Sequence, residues 1–530
     1  MFLYRNTCPQ RRNALNALVP KNADHVIGVL SGWDRLAFRG TLRMLAFAGG
    51  MAAYLSRIGT LLKDFGDHAQ AMTEQLIQAS LKRAEVADRP VQYLQSPSVR
   101  KDDYARQIAK DDGITDGLIC VLTCVEPCRS FEIYRNREKK ILELVARNRK
   151  CKFLYHYWID QRFGFMSARV QTWFPFSMQV CMNGREWLAR RMDEKGMACT
   201  RYDNSFPWIE DFPKAQKMFD AMHKTDWPKM LDAAARQVHP AHAAMFRGLG
   251  FHYYWSAFQT EWATDTVFDS PKALAAIYPQ LVRGAIAAFD SRAVMRFLGH
   301  RFYENHEGEI TSDYRSRPEG VCVKHRAMGN SIKVYDKGGS ILRIETTINN
   351  PAAYRSYRPS EAEPEGEKQW RVMRRGVADM YRRAEVSQAA NDRYAEALAS
   401  LDTTTSLGRL AATVCRPVSK DGKRYRALHP FSAEDRELLE AISDGAYATD
   451  GFCNRDLAAR LYPAALADPV ERVRASSKVS YRLRILRSHG LIRKLPCQRR
   501  YHMTTKGRQI VTALLQAQHA TLQQLNALAA

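Results

Sequence analysis

The chain has 530 residues, 45% of them hydrophobic and 10% aromatic, which is ample for sizeable cores and too long for one ordinary core, so roughly two to four domains are expected. Eighty Lys and Arg against 56 Asp and Glu leave a formal charge of +24 spread along the chain rather than gathered in a tail, and a field of that sign selects polyanionic partners, nucleic acid first. There is no uncharged apolar run of about 18 residues and no lipidation signal, and MFLYRNTCPQRRNALNALVPK has too short an apolar segment for a secretory signal, so a cytoplasmic protein without a membrane partner is expected.

In chain order, a strand-like run from His25 to Leu30 is followed by SGWDRLAFRG and then by helical periodicity from Thr41 to about Ala87, making 1–110 a mainly helical region. A polar passage over 93–103 reads as a loop. From Gly117 short apolar runs bounded by turns (LICVLTCV, SFEIYRN, KCKFLYHYWID, GFMSARVQTWF) read as strands, and NGREWLARRMDEKG as a helix capped near Asn183. A second strand-then-helix pair, FHYYWSAFQTEWATDTVF and SPKALAAIYPQLVRGAIAAFD, completes an α+β region over 111–300. Within 301–415, SIKVYDK and SILRIETTI flank Gly338-Gly339, read as a two-residue type I′ or II′ hairpin turn. A charged loop, YRPSEAEPEGEKQ, then leads to a helical stretch from about Trp370 to Leu401. Residues 416–430, within CRPVSKDGKRYRALHP, are basic and bounded by prolines and read as an interdomain linker.

Beyond the linker, SAEDRELLEAISDG reads as a helix signalled by Ser432 and Glu434, and NRDLAARLYP as a short helix capped by Asn454 and stopped by Pro463. Residues 471–489 form a third, with Val479, Leu483 and Leu486 as its buried stripe and Gly490 as its end. LIRKLPCQRRYHM supplies two short strands around a basic tip, and TTKGRQIVTALL returns to helix. From Arg472 to Arg508 the run is rich in Lys and Arg and holds no Asp or Glu. Opposite the buried stripe the third helix carries Arg474, Ser477, Tyr481, Arg484 and Ser488, flanked by Arg482 and Arg487. Together with Lys478, Arg493, Lys494, Arg499, Arg500 and Lys506 these are the candidate nucleic-acid contacts.

The run SYRLRILRSHGLIRKLPCQRRYHMTTKGRQIV resembles bacterial winged-helix domains of the MarR-like type. The matching pieces are LRILRSHGLI at the end of the third helix, Tyr501 on the second wing strand, and the Thr-x-x-Gly-Arg entry to the last helix. The resemblance covers roughly the last hundred residues and implies that 431–530 form a winged-helix domain that binds DNA; a basic face that is only solvated, or that binds protein, is the alternative. The expected fold class is therefore α+β and multidomain, a central mixed or antiparallel sheet body with helices plus a C-terminal winged helix-turn-helix. Leu514, Leu522, Leu525 and Leu528 fit either a homodimer stripe or packing on the long helix before the linker.

For chemistry, pairing Lys337 with Ser340 would place Asp336, Arg343 and Glu345 on one strand face, with Lys333, Tyr335 and Lys337 on the other. Asp336 and Glu345 would then be half of a divalent-metal site for Mg2+ or Mn2+, or partners of Arg343 in an ordinary ion pair. Asp34, Glu126, Asp160, Glu261 and Asp265 also stand within aromatic, strand-like sequence, and Glu261 and Asp265 share a face in either an extended or a helical conformation. Asp336, Glu345, Glu261 and Asp265 are the candidate catalytic carboxylates of a nuclease or transposase-like centre; separate caps and ion pairs are the other reading. KVYDKGGSILRIETTIN resembles replication-initiator proteins of filamentous phages and small plasmids over about thirty residues, but the His-hydrophobic-His metal motif of such proteins is missing, and neither His156 nor His239 with His242 supplies it.

FLYHYWIDQRFGF and RVQTWFPF offer either stacking platforms for single strands or core aromatics. Eleven cysteines, an odd number, fit reduced thiols, and Cys120, Cys124 and Cys128 read as core thiols or as a metal cluster in a strand broken by Pro127. Together these features predict a DNA-binding protein of mobile-element, transposase-like or replication-initiation type, with DNA favoured over RNA as partner. A transcriptional regulator and an RNA-binding protein are the alternatives.

Overall fold

In the computed structural model, which describes residues 18–519 apart from 301–307, 318–319, 361–362, 364, 402–406, 421, 445–446, 448–450 and 496–497, the first strand is far longer than expected. β1 runs Val26–Leu42 instead of stopping at Leu30, and long helices begin only at Ala48–Arg57 and Phe65–Val86. The pattern in WDRLAFRG explains this: Leu36 and Phe38 are buried on one face, and on the other Arg35 and Arg39 are exposed on either side of buried Ala37, as in a strand covered fully on one face and partly on the other. Gly40 belongs in this strand because a Cβ there would lie 2.8 Å from the Trp255 ring.

The later strands are β2 (Val91–Tyr93), β3 (Gly117–Asn136), β4 (Ile141–Asp160), β5 (Gly164–Gln171), β6 (Met178–Asn183), β7 (Cys199–Tyr202), β8 (Ser205–Ile209) and β9 (Tyr253–Phe268). They continue as β10 (Thr311–Arg317), β11 (Gly320–Ala327), β12 (Asn330–Lys337), β13 (Ile341–Ile348), β14 (Arg355–Arg358), β15 (Gln369–Val372), β16 (Val418–Lys420), β17 (Lys423–Tyr425), β18 (Ile492–Lys494) and β19 (Tyr501–Met503). The fold is α+β, and no helix among the described residues is long and apolar enough to cross a membrane. The chain forms two units, one of Gly32–Trp262 with Arg374–Tyr381, the other of Met1–Ser31, Ala263–Met373 and Arg382–Ala530.

In the Gly32–Trp262 unit the strand order is β9-β1-β6-β5-β4-β3-β2. β1 through β3 are joined by antiparallel pairs, and β2 runs parallel to β3. Pro127 does not break β3, which continues to Asn136. β2 pairs only with Val121–Thr123, so Pro127 lies where β3 is flanked by β4 alone, the edge setting in which a strand tolerates proline. Cys120 and Cys124 pack with Leu94, Ala105 and Tyr157, and burial pushes the Cys120 thiol up to about 12; these are core thiols. Asn183 caps the Gly184–Glu194 helix by accepting the Arg185 N–H at 2.7 Å.

In the other unit the order is β10-β11-β12-β13-β9-β1. One sheet face is covered by the helices Pro271–Ala287, Ser291–Leu298 and the later part of Met380–Leu401, where Ile332, Val334, Leu342 and Ile344 meet Phe297 and Tyr394. The long helix starts at Met380 rather than near Trp370, because Trp370 pairs with Tyr357 across β14 and β15. The β12–β13 hairpin differs from expectation by one residue. Lys337 pairs with Ile341, Tyr335 with Arg343 and Lys333 with Glu345, so the loop is Gly338, Gly339 and Ser340, with φ of 71° and 88° at the two glycines. A one-residue slip exchanges the faces of the two strands relative to each other, with consequences for the acids below.

From Leu407 to His519 the chain builds a further core. Val414, Leu428, Leu439, Leu483, Ile510 and Leu514 belong to one cluster. Residues 416–430, expected to be a linker, hold the β16–β17 hairpin, and Arg426 pairs with Asp435 at 2.7 Å. The order is then helix Ala433–Ile442, a bridge from Phe452 to Tyr501, helix Asn454–Leu461, helix Pro469–Ser488, β18, β19 and helix Thr505–His519. Ser432 caps its helix. Asn454 does not cap the next, whose N-cap is Cys453; its amide instead donates to Ser476 O and Ser480 Oγ, each at 2.8 Å, tying that helix to Pro469–Ser488. Leu514 is buried in this core, while Leu522, Leu525 and Leu528 lie outside the described residues.

Candidate functional site

The corrected hairpin register separates Asp336 from Glu345. Asp336 shares its face with Ile332, Val334, Leu342 and Ile344, whereas Arg343 and Glu345 share theirs with Lys333 and Tyr335. The Asp336 carboxylate accepts the Gly339 N–H at 2.9 Å, a turn cap, and burial raises its pKa. Asp265 accepts two hydrogen bonds from one edge of the Arg343 guanidinium, from Nε at 2.6 Å and Nη2 at 2.9 Å, with the two side chains 2% and 0% exposed. Glu345, also buried, takes Lys333 at 2.8 Å and the Tyr335 hydroxyl at 3.0 Å. Tyr335 is thus packed in the sheet, as a structural donor. Asp265 and Asp336, expected as catalytic acids, are each supplied by the fold with a cation or a backbone N–H.

The remaining acids divide in the same way. Glu126 answers Lys101 at 3.3 Å and Arg169 at 2.7 Å and accepts the Tyr155 hydroxyl. Asp160 caps the turn at Arg162 and Phe163. In the Gly32–Trp262 unit, however, Asp34 on β1 and Glu261 on β9 bring one carboxylate oxygen each to within 4.8 Å of the other. Asp34 is 2% exposed and is oriented by the side-chain amides of Asn183, at 2.7 Å, and Asn204, at 2.6 and 2.8 Å. Glu261 is half-buried and accepts Gln259 at 3.1 Å. Two adjacent hard oxygen donors are what Mg2+ or Mn2+ takes from protein when water and phosphate complete its shell. Sequence spacing pointed to Glu261 with Asp265; the closer partner is Asp34, more than two hundred residues away along the chain, which no local pattern reveals.

The C-terminal basic run sorts by burial. On the Pro469–Ser488 helix Val479, Leu483 and Leu486 are buried, whereas Arg474, Ser477, Lys478, Tyr481, Arg484 and Arg487 are exposed. Arg493, Lys494, Arg499 and Lys506 are exposed as well. Two of the expected contacts are not on this surface. Arg482 is 7% exposed and engages Glu434, and Arg500 holds Gly451 O and Asp456 at 2.6 and 3.1 Å. Ser488 is half-buried and donates to Ile485 O.

The aromatic runs read as stacking platforms are mainly core: Tyr157, Trp158, Phe163, Phe174 and Phe176 are at most 3% exposed. Exposed rings stand instead on β9, at Tyr254 and Phe258, with Arg43 and Arg39 over them at 3.3 and 4.4 Å. These four residues carried no signal in the sequence beyond alternation within a strand. His156 and His239 are also buried, and desolvation holds each near 3 and therefore neutral. Compared with known protein families, curated proteins and solved structures, the chain matches none.

Proposed function

We propose that residues 433–519 form a winged helix that docks on duplex DNA, with the Pro469–Ser488 helix in the major groove and β18–β19 as the wing. The protein would then act in DNA processing of a mobile-element, transposase-like or replication-initiation kind. The observation that carries this reading is the division of one helix: Val479, Leu483 and Leu486 turn inward, while Arg474, Lys478, Tyr481, Arg484 and Arg487 turn outward. An outward row of cations and polar groups on a helix anchored by its apolar side reaches base edges and phosphates in a groove. The order helix, bridge strand, helix, helix, two-stranded wing, helix supports the same reading. The processing part rests on Asp34 and Glu261, a carboxylate pair of the type that orients water and stabilises a leaving oxygen through a divalent ion.

The test is a fluorescence-anisotropy titration of full-length protein on labelled duplex DNA over a salt series, followed by incubation with Mg2+ or Mn2+. Arg484→Ala should weaken duplex binding by roughly tenfold if it meets a base edge, with unchanged melting. Glu261→Gln should abolish strand cleavage or joining. Duplex binding without either reaction would replace the processing reading by a transcriptional regulator, and tighter binding to structured RNA than to duplex DNA at equal salt would replace it by an RNA-binding protein.

A further inference from the structure

The antiparallel registers of the Gly32–Trp262 unit align a row of side chains across four strands. Arg39 on β1 lies opposite Gln179 on β6, Gln179 opposite Arg169 on β5, and Arg169 opposite Tyr155 on β4. Residues directly opposite in such pairs point to one face. That face is open at Arg39, which is exposed, and half-open at Gln179, Arg169 and Tyr155. β9 continues it with Tyr254 and Phe258, 38% and 43% exposed. The segment beside β9 adds exposed Arg375, whose carbonyl accepts the Ala257 N–H at 2.8 Å.

The charges here are unbalanced. Glu126 answers Arg169 and Lys101, but Arg39, Arg43 and Arg375 have no ion pair among the described residues. Desolvation, then the neighbouring guanidinium charges of Arg169 and Arg375, pull the Arg39 pKa down, so these cations repel one another and an incoming anion would relieve the repulsion. The guanidinium of Arg43 lies over Tyr254 and that of Arg39 over Phe258, which leaves flat, cationic, partly desolvated surfaces facing outward.

We infer that this sheet face binds single-stranded nucleic acid, with bases stacking against the Arg39–Phe258 and Arg43–Tyr254 pairs and the guanidinium N–H groups of those arginines and of Arg375 meeting phosphates. The face suits a single strand because the bases must be unpaired to lie against a ring or a guanidinium plane, and because arginines spaced across adjacent strands track a flexible backbone. The inference is independent of the C-terminal reading and concerns different residues.

The test titrates full-length protein with fluorescein-labelled oligothymidine and oligouridine of about 20 nucleotides, longer than one such face covers. Phe258→Ala should weaken binding roughly tenfold, with little change in salt dependence. Arg39→Ala with Arg43→Ala should weaken it and lower the salt slope by roughly 0.7 for each lost phosphate contact. Gln179→Glu, which places a carboxylate between Arg39 and Arg169 without removing a ring or an arginine, should weaken it too. The losses in these variants are expected on the oligonucleotides and not on duplex DNA, which separates this face from the C-terminal helix. Tighter binding of oligouridine would identify RNA as the source of the strand, and of oligothymidine, DNA. Binding of both oligonucleotides at wild-type strength by Phe258→Ala, Gln179→Glu and the double arginine variant, or no binding by the wild type, would overturn the inference.

Discussion

Removing the Asp265 carboxylate measures what holds the sheet together. Arg343 is 0% exposed and grips both Asp265 oxygens, at 2.6 and 2.9 Å. Asp265→Ala would leave a guanidinium in the interior without that counter-ion. At an effective dielectric constant of about 20 and a charge separation of about 4 Å the pair is worth about 4 kcal/mol, and breaking one side of buried pairs generally costs about 3–5 kcal/mol. Replacing both, as Asp265→Leu with Arg343→Met, removes the charge and the desolvation together and should cost less than either single change. Urea unfolding followed by the fluorescence of the nine tryptophans supplies the free energies for a double-mutant cycle. A loss below about 1 kcal/mol in Asp265→Ala, or a double variant less stable than both singles, would refute the assignment of Asp265 as a structural counter-ion.

Leu483, 3% exposed in the C-terminal core, should cost about 2–5 kcal/mol as Leu483→Ala, whereas exposed Arg484→Ala should leave the melting temperature unchanged; equal destabilisation by the two would show the helix to be rotated from the phase described. Gly32→Ala would bring a methyl to 2.2 Å from the Phe219 ring and should destabilise by about 1–3 kcal/mol through overpacking, measured by thermal melting. Burial raises Glu396 to about 7, beyond what its partner Arg508 offsets. Because the folded-state pKa lies above the unfolded one, this group's contribution is fully present below pH 4.5 and is lost as pH rises through 7. Denaturation across that range should therefore show a steeper fall in stability for the wild type than for Glu396→Gln, and identical slopes would remove Glu396 as the cause.

Local pattern made the C-terminal elements legible. Val479, Leu483 and Leu486 recur at helical spacing, Gly490 stops the helix, and the burial of those three side chains follows the expected phase. The β12–β13 hairpin was legible as a hairpin, but its register was not. Gly338-Gly339 allows a two-residue turn, yet Ser340 joins the loop, and the extra residue moves Asp336 away from Glu345. Turn propensity alone does not distinguish these loops, because double glycine adopts the positive φ that either requires. Long-range pairing was less legible still. Asp34 meets Glu261 only because β1 continues beyond Leu30, and that continuation gives Leu36 and Phe38 a covered face to fill.

The acid-free run from Arg472 to Arg508 shows why counting charges along a sequence overstates a binding surface. Its balancing acids come from elsewhere in the chain: Glu434 meets Arg482, Asp456 meets Arg500 and Glu396 meets Arg508. Three of its cations thus fasten the Pro469–Ser488 helix, the wing next to its second strand and the last helix to their neighbours. Deleting any of the three would change affinity by way of the fold. The cations that remain exposed stand on the helix opposite the Val479–Leu483–Leu486 stripe, where Arg474 meets Glu471 of the same helix at 2.6 Å, or on the wing. On the proposed DNA-binding reading it is this geometric remainder, and not the run as a whole, that would meet phosphate, since only a cation with its head in solvent can exchange counterions for phosphate and produce a salt-dependent affinity.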